Sequence, residues 1–382
     1  MAAAADTPAL SPAVPDADPG SLSHWVLIRR RFAQHRLAVA SLYLLAVLYA
    51  MALGAEFFAP YTREWRDLSH AYCPPQLPRF SLSHGLFVPA MRRFTDPLTL
   101  KKTYLEDDTR AVELGFLVRG EPYRLWGVLT CSRHFFGVKE DAALRPDGTR
   151  PTFYFLGADK HGQDLFSRLI YGSRISLSVG LAAIAVTFLL GVTIGGISGY
   201  VGGATDNVIQ RVIEAVNAFP QIPLWLTFGA VLPAEWSPLS VYFAITLVLS
   251  LLGWTGLARV VRGKILALRE EDYATAARLL GASHARVLFR HLLPGFASHI
   301  IVALTMSVPT MILGETSLSF LGLGLRPPIV SWGVLLQDCL SLQTVADYPW
   351  LLTPVVFVVL AVMCFNFLGD GLRDAADPHA TP

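Results

Sequence analysis

Charge is scarce in this chain: Asp, Glu, Lys and Arg make up 16% of its 382 residues, against 53% hydrophobic residues and a mean hydropathy of +0.46. That balance excludes an ordinary soluble globular protein and makes a membrane the first hypothesis. The formal net charge of +2 provides no broad basic surface for nucleic acid. Cysteine is scarce too. Cys73, Cys131, Cys339 and Cys364 form no Cys-x-x-Cys pair, which removes the common zinc and thioredoxin-like readings; no metal site is expected. Cys73 and Cys131 share one polar segment, so a disulfide is an alternative there to two unpaired thiols. The phosphate-binding pattern Gly-x-x-x-x-Gly-Lys-Ser/Thr is missing, so any ATP hydrolysis must take place on another chain. Apart from His291 and His299 near a boundary, histidine and lysine are missing from the later apolar runs. A serine nucleophile at Gly196-Ile197-Ser198-Gly199 would therefore lack its base, and no catalytic residue is assigned.

Long apolar runs are what the chain does have. They extend over 37–59, 177–200, 208–232, 239–261, 296–321 and 348–368, each near the roughly 20 residues that a bilayer requires. The first begins too late and is too long for a signal peptide, although Ala50-Met51-Ala52 imitates a cleavage site; it is expected to be an uncleaved anchor. About six transmembrane helices follow. Arg29, Arg30, Arg31 and Arg36 precede the first span, and Arg262, Lys264, Arg269, Arg278, Arg286 and Arg290 crowd one later loop. Positive residues hold such loops in the cytoplasm, which predicts both termini inside.

The expected organisation is a cytoplasmic tail over 1–36, a first transmembrane helix over 37–59 and a small extracytoplasmic insert with its lead-in over 60–173. A five-helix core over 174–372 and a cytoplasmic tail over 373–382 complete it. Residues 1–23, rich in Ala, Pro, Asp and Ser, read as a disordered tail. Pieces such as Tyr123-Arg124-Leu125-Trp126 suggest short strands in the insert. Gly191, Gly195, Gly196 and Gly199 suit close helix contact in lipid. Pro220, Pro223 and Pro309 fall inside spans and would free backbone groups, either at kinks around a pathway or in ordinary helix packing. Glu315 lies in the fifth run, where a carboxyl is expensive; it lines a cavity or sits in a satisfied internal hydrogen bond. Arg211 and Glu214, one helical turn apart, read as a local ion pair.

The segment 264–294 is the most informative. Good helix formers end at Gly281, which suits a left-handed cap, and Ser283 can cap a second helix running toward Pro294. Ala274, Ala276 and Ala277 would present a small-residue surface flanked by Arg269, Glu270, Glu271, Asp272 and Arg278. Such a knob could dock into a partner's groove or simply be a solvated loop.

Here the sequence resembles the inner-membrane permeases of the dipeptide, oligopeptide and nickel ABC importers, in their second-subunit branch. The family's coupling loop carries Glu-Ala-Ala, then a glycine, then a distant proline; Ala276, Ala277, Gly281 and Pro294 match, and Thr275 replaces the glutamate. Further matches are Leu156-Gly157-Ala158-Asp159 through Arg168, Gly172 to Leu177, and Gly199-Tyr200-Val201-Gly202-Gly203 with Asp206. Ser319 to Gly324, Ser331-Trp332-Gly333 and Leu368 to Asp374 with Asp377-Pro378 follow. The resemblance implies an all-α polytopic permease of the type I importer fold with a cytoplasmic coupling helix. It implies coupling residues at Tyr273, Thr275, Ala276, Ala277, Gly281 and Pro294, and pathway or packing roles for Glu315, Pro220 and Pro309. It also implies a second permease subunit, two ATP-binding subunits carrying ATP and magnesium, an extracytoplasmic solute-binding protein and a bacterial inner-membrane location. The solute would be a di- or oligopeptide, with nickel or an oligosaccharide as alternatives. A secondary transporter is the rival reading, although no repeat or pair of broken helices is evident.

Overall fold

The computed structural model describes residues 24–376 except 96, 98–101, 146, 147 and 234; the stretch 1–23 and Asp377-Pro378 lie outside it. Helices α1 (His24–Gln34), α2 (Arg36–Leu53) and α3 (Ala55–Phe58) open the chain. The His35 ring starts α2 by accepting the Ala38 N–H at 3.1 Å, one of the four donors that a helix start leaves unpaired. After the insert come α4 (Leu165–Val201), α5 (Gly203–Asn217), α6 (Gln221–Val231) and α7 (Pro238–Leu268). Then follow α8 (Asp272–Leu279), α9 (His284–Arg286), α10 (Ala297–Phe320), α11 (Trp332–Leu335), α12 (Leu342–Asp347) and α13 (Thr353–Ala376).

Among the described residues five helical stretches are long and apolar enough to cross a bilayer: Arg36–Leu53, Leu165–Val201, Pro238–Leu268, His284–Phe320 and Pro349–Ala376. The remaining expected crossing, 208–232, is not one helix. It is divided into α5 and α6 around Ala218–Pro220, with Pro220 extended (φ −61, ψ 128) ahead of α6. Proline cannot donate to the helical ladder and pushes its predecessor away from helical dihedrals, so the break falls where the sequence offers Pro220 and Pro223. The second span also starts early: α4 reaches back to Leu165 because Asp164 accepts the Ser167 N–H at 2.8 Å and caps it.

Close helix contact is most demanding between α4 and α7. A Cβ on Gly195 would lie 2.4 Å from the Ala258 carbonyl oxygen, so only glycine permits this crossing. Around it, Val192, Leu257, Val261 and Ile265 join Val287, Leu288 and Leu292 in one buried cluster. A second cluster joins α2, α4, α10 and α13 through Leu45, Leu169, Ile312, Trp332 and Phe365.

The insert holds more regular structure than short strands. It is a four-stranded antiparallel sheet, β1 (Arg79–Ser81), β2 (Gly85–Thr95), β3 (Lys102–Leu125) and β4 (Leu129–Val138), in that spatial order. The 24 residues of β3 are long because its first part pairs with β2 and its second with β4. Val88, Val112, Leu114 and Phe153 form its core. Gln76 stitches the sheet to the lead-in: its side chain donates to the Pro89 carbonyl and accepts the Tyr154 N–H, both at 2.9 Å. Cys73 and Cys131 are both free thiols, so the disulfide alternative does not hold.

Candidate coupling loop and buried polar sites

The predicted helix, turn and helix are present. In α8 an acidic residue, Asp272, stands in the first turn and a basic one, Arg278, in the last, which suits the helix dipole. Gly281 takes φ +82, and the Ala282 N–H reaches back to the Ala277 carbonyl at 3.0 Å. That six-to-one bond closes the helix and needs a left-handed residue at its corner. Ser283 then caps α9 through the Arg286 N–H, at 3.4 Å. The second helix does not stop at Pro294. A π turn over Val287–Leu292 and a 3₁₀ turn over Leu293–Phe296 absorb the proline and lead into α10.

Burial redistributes the small-residue surface. Ala274 is fully buried against the cluster of Ile265, Val287 and Leu288, so it anchors the loop and is not part of a free surface. Ala277 is half-buried and Ala276 exposed. Tyr273, Leu279 and Leu280 are 44%, 83% and 88% exposed, an apolar rim with no cover from this chain's described residues. The Thr275 hydroxyl accepts from Arg278 at 3.0 Å. The loop is tied to α4 by Arg269, which donates to the Gly199 carbonyl at 3.1 Å, and by His284 against the Tyr200 hydroxyl at 3.2 Å. Beside it, Arg262 grips Asp206 with two bonds of 2.6 and 2.5 Å. That guanidinium, helped by Ser198, outweighs desolvation and holds the Asp206 carboxyl down at about 2.

The three candidate pathway residues separate. Glu315 is fully buried in a cage of hydroxyls: Ser176 donates to one carboxyl oxygen at 3.1 Å and Ser319 to the other at 2.8 Å. Each serine also accepts a backbone N–H, Trp332 on Ser176 at 3.1 Å and Leu325 on Ser319 at 3.0 Å. The satisfied internal hydrogen bond is therefore the geometry found, and the carboxylate pins the segment 325–332 between α4 and α10. Pro309 is buried within α10. Pro220 is exposed at the break between α5 and α6, where the N–H groups of Phe219, Gln221 and Ile222 have no acceptor among the described residues. Arg211 and Glu214 form the expected local pair at 2.7 Å, exposed on α5.

Several sites escaped the sequence, two of them because their partners lie far apart along it. Arg174 binds the Glu56 carboxylate at 2.8 and 2.7 Å, and Lys160 meets Asp338 at 2.8 Å. In the lead-in, Asp159 pairs with Arg168 and accepts the N–H groups of His161 and Gln163 at 2.8 and 2.9 Å. Gly162 is irreplaceable there: its φ is +68 and a Cβ would fall 1.9 Å from the Asp67 carbonyl oxygen.

Broken and glycine-crossed spans with a helix pair packed against them define a polytopic membrane transport subunit. The chain belongs to the family of binding-protein-dependent transport system inner membrane components, whose profile matches residues 191–382. The N-terminal transmembrane domain of oligopeptide transport permease C matches residues 23–75. The chain is 39% identical to the oligopeptide transport system permease protein OppC of Bacillus subtilis over 226 residues, 59% of this chain and 72% of the relative. It is 40% identical to OppC of Haemophilus influenzae over 235 residues, covering 60% and 72%. It is 38% identical to a putative peptide permease of Brucella ovis over 259 residues, covering 67% and 83%.

Proposed function

We propose that this permease moves di- or oligopeptides inward, pairing with a second permease and drawing energy from two ATP-binding subunits that bind ATP and magnesium. An extracytoplasmic binding protein delivers the solute. The observation that carries the coupling is the rim of Tyr273, Leu279 and Leu280 around a helix anchored by Ala274 and closed by Gly281. Apolar side chains grouped on a short helix and its turn suit a protein groove better than water. Thr275, Ala276, Ala277 and Pro294 belong to the same docking element. Both termini lie in the cytoplasm, as the arginines before α2 and in the loop favour. Names of the relatives favour peptides over nickel or oligosaccharides as the solute. Of the three candidate pathway residues, Pro220 faces the route: free backbone donors within a membrane crossing need water or a partner chain. Glu315 and Pro309 serve packing.

The test is a gentle-detergent pull-down of the chain expressed with its genomic neighbours. An ATPase should accompany the wild type and be lost with Ala277→Arg or Gly281→Pro while the second permease is retained. If no ATPase accompanies the wild type, the importer reading fails and a secondary transporter takes its place.

A further inference from the structure

The β3–β4 hairpin ends in a tight turn with an unusual surface. Trp126 and Gly127 take left-handed dihedrals, φ 51 and 75, and the turn is closed by Gly127 N–H to Arg124 and Val128 N–H to Leu125, at 3.2 and 3.1 Å. Trp126, Val128 and Leu129 are 65%, 81% and 58% exposed. One such side chain in water is ordinary; three around one turn form a patch that asks for a cover.

A set of contacts with the end of the first span fixes the height of that tip. The Trp126 indole donates to the Leu53 carbonyl at 2.8 Å, and Leu53 is the last residue of the first span. Arg174 also donates to Leu53, at 3.1 Å, while gripping Glu56, so a charged pair stands at the same level. Farther along β4 the chain leaving the span runs beside the hairpin: Phe135 packs on Phe57 and Phe58 with ring centres 5.9 and 5.5 Å apart, and His134 reaches the Ala59 carbonyl at 2.6 Å. The turn is therefore level with the end of a membrane helix.

We propose that Trp126, Val128 and Leu129 dip into the headgroup and acyl boundary of the leaflet on the insert's side and anchor the sheet to lipid. Tryptophan suits that boundary because its ring is apolar and its N–H still finds an acceptor, here Leu53. Arg124, exposed one residue before Leu125, is placed to meet lipid phosphates. A second turn serves as the reference: Leu82, 99% exposed, sits in the β1–β2 turn beside the middle of β3, where Phe87 pairs with Glu113. From the Leu114–Val138 pair to the Leu125–Leu129 pair is nine residues of β4, roughly 30 Å of strand.

The two turns give the experiment its contrast. Val128→Cys and Leu82→Cys are made in full-length chain carrying Cys131→Ser and Cys339→Ser, labelled with an environment-sensitive fluorophore and reconstituted with partner subunits in lipid nanodiscs. Lipids carrying a nitroxide near the headgroup should quench the probe at Val128 several-fold more than the probe at Leu82, and aqueous iodide should show the reverse order. Leu129→Cys repeats the measurement if the first variant folds poorly. Equal response at the two turns would place the tip in water, and a tip probe reached by neither quencher would place it under a partner chain; either overturns the anchor. The readout depends on neither transport nor ATPase binding, so it stands apart from the importer reading.

Discussion

The insert and the coupling loop are the two parts of the molecule that stand outside the spans, and they complete their bonding in opposite ways. The insert closes on itself. Gln76 joins sheet and lead-in with two bonds, Asp67 holds Arg145 at 2.8 Å, and Tyr72 stacks on Tyr348 at 4.0 Å between ring centres. Trp350 donates to the Ala158 carbonyl at 3.1 Å, so the lead-in and the approach to the last span are locked together. The coupling loop has one fully buried residue in α8, Ala274, and its apolar rim faces outward. The insert directs its bonds inward and to the approach to the last span, whereas the loop's apolar rim is finished by what binds it.

That contrast can be broken by substitution. The largest effect is expected at Gln76. Gln76→Leu would orphan the buried Tyr154 N–H and the Pro89 carbonyl, costing about 3 kcal/mol, and should open the insert to protease while the ATPase still co-purifies. Loss of both together would mean that insert and loop are one cooperative unit.

Asp67 sharpens the comparison through pH. Burial alone would raise its carboxyl, but bonds from His70, Ser69 and Arg145 outweigh it and hold the group well below the usual range. A depressed carboxyl stabilises the folded state fully above its unfolded value of about 3.9 and loses that contribution as pH falls toward the folded value. The gap in insert melting temperature between wild type and Asp67→Asn should therefore be constant near neutrality and shrink below about pH 4. A gap that does not move with pH would remove charge from the account. The smallest effect is expected at Thr275→Glu, which supplies the glutamate that the family resemblance implies at this position. A new pair with Arg278 one turn away adds about 0.3 kcal/mol to α8, and ATPase retention should stay within about twofold, measured by the same pull-down.

Local chemistry was legible and distant chemistry was not. Gly281 and Ser283 announce a turn and a cap through backbone needs that only a few residue types meet, so the coupling loop could be read directly. Apolar runs located the spans, but hydrophobicity cannot tell a continuous helix from α5 and α6, and the prolines that divide them read equally well as kinks. The length of β3 was hidden because one strand serves two neighbours and shows no single alternation. At Glu315 the cost of a carboxyl in a span was evident, whereas the hydroxyl that meets it, Ser176, lies 139 residues away. The burial of Ala274 depended on Val287 and Leu288 folding back over it, which no spacing within the loop discloses.

The glycine crossing of α4 on α7 also has a mechanical meaning. From Gly195 to the start of α4 at Leu165 is thirty residues, and to its end at Val201 six, which is about 45 Å of rod on one side and about 9 Å on the other. Gly191 and Gly199 approach Leu257 and Arg262 almost as closely, a Cβ falling 2.8 Å from each, so the two helices are held along a row of contacts and form one bar. The short arm carries Gly199 and Tyr200, which Arg269 and His284 hold to the loop; the long arm ends at Asp164, under the insert. The long arm is joined to α7 as well, by Ser250 on the Ala183 carbonyl and Tyr242 on Ser178, both at 3.1 Å, so the bar resists bending from the loop to the opposite mouth.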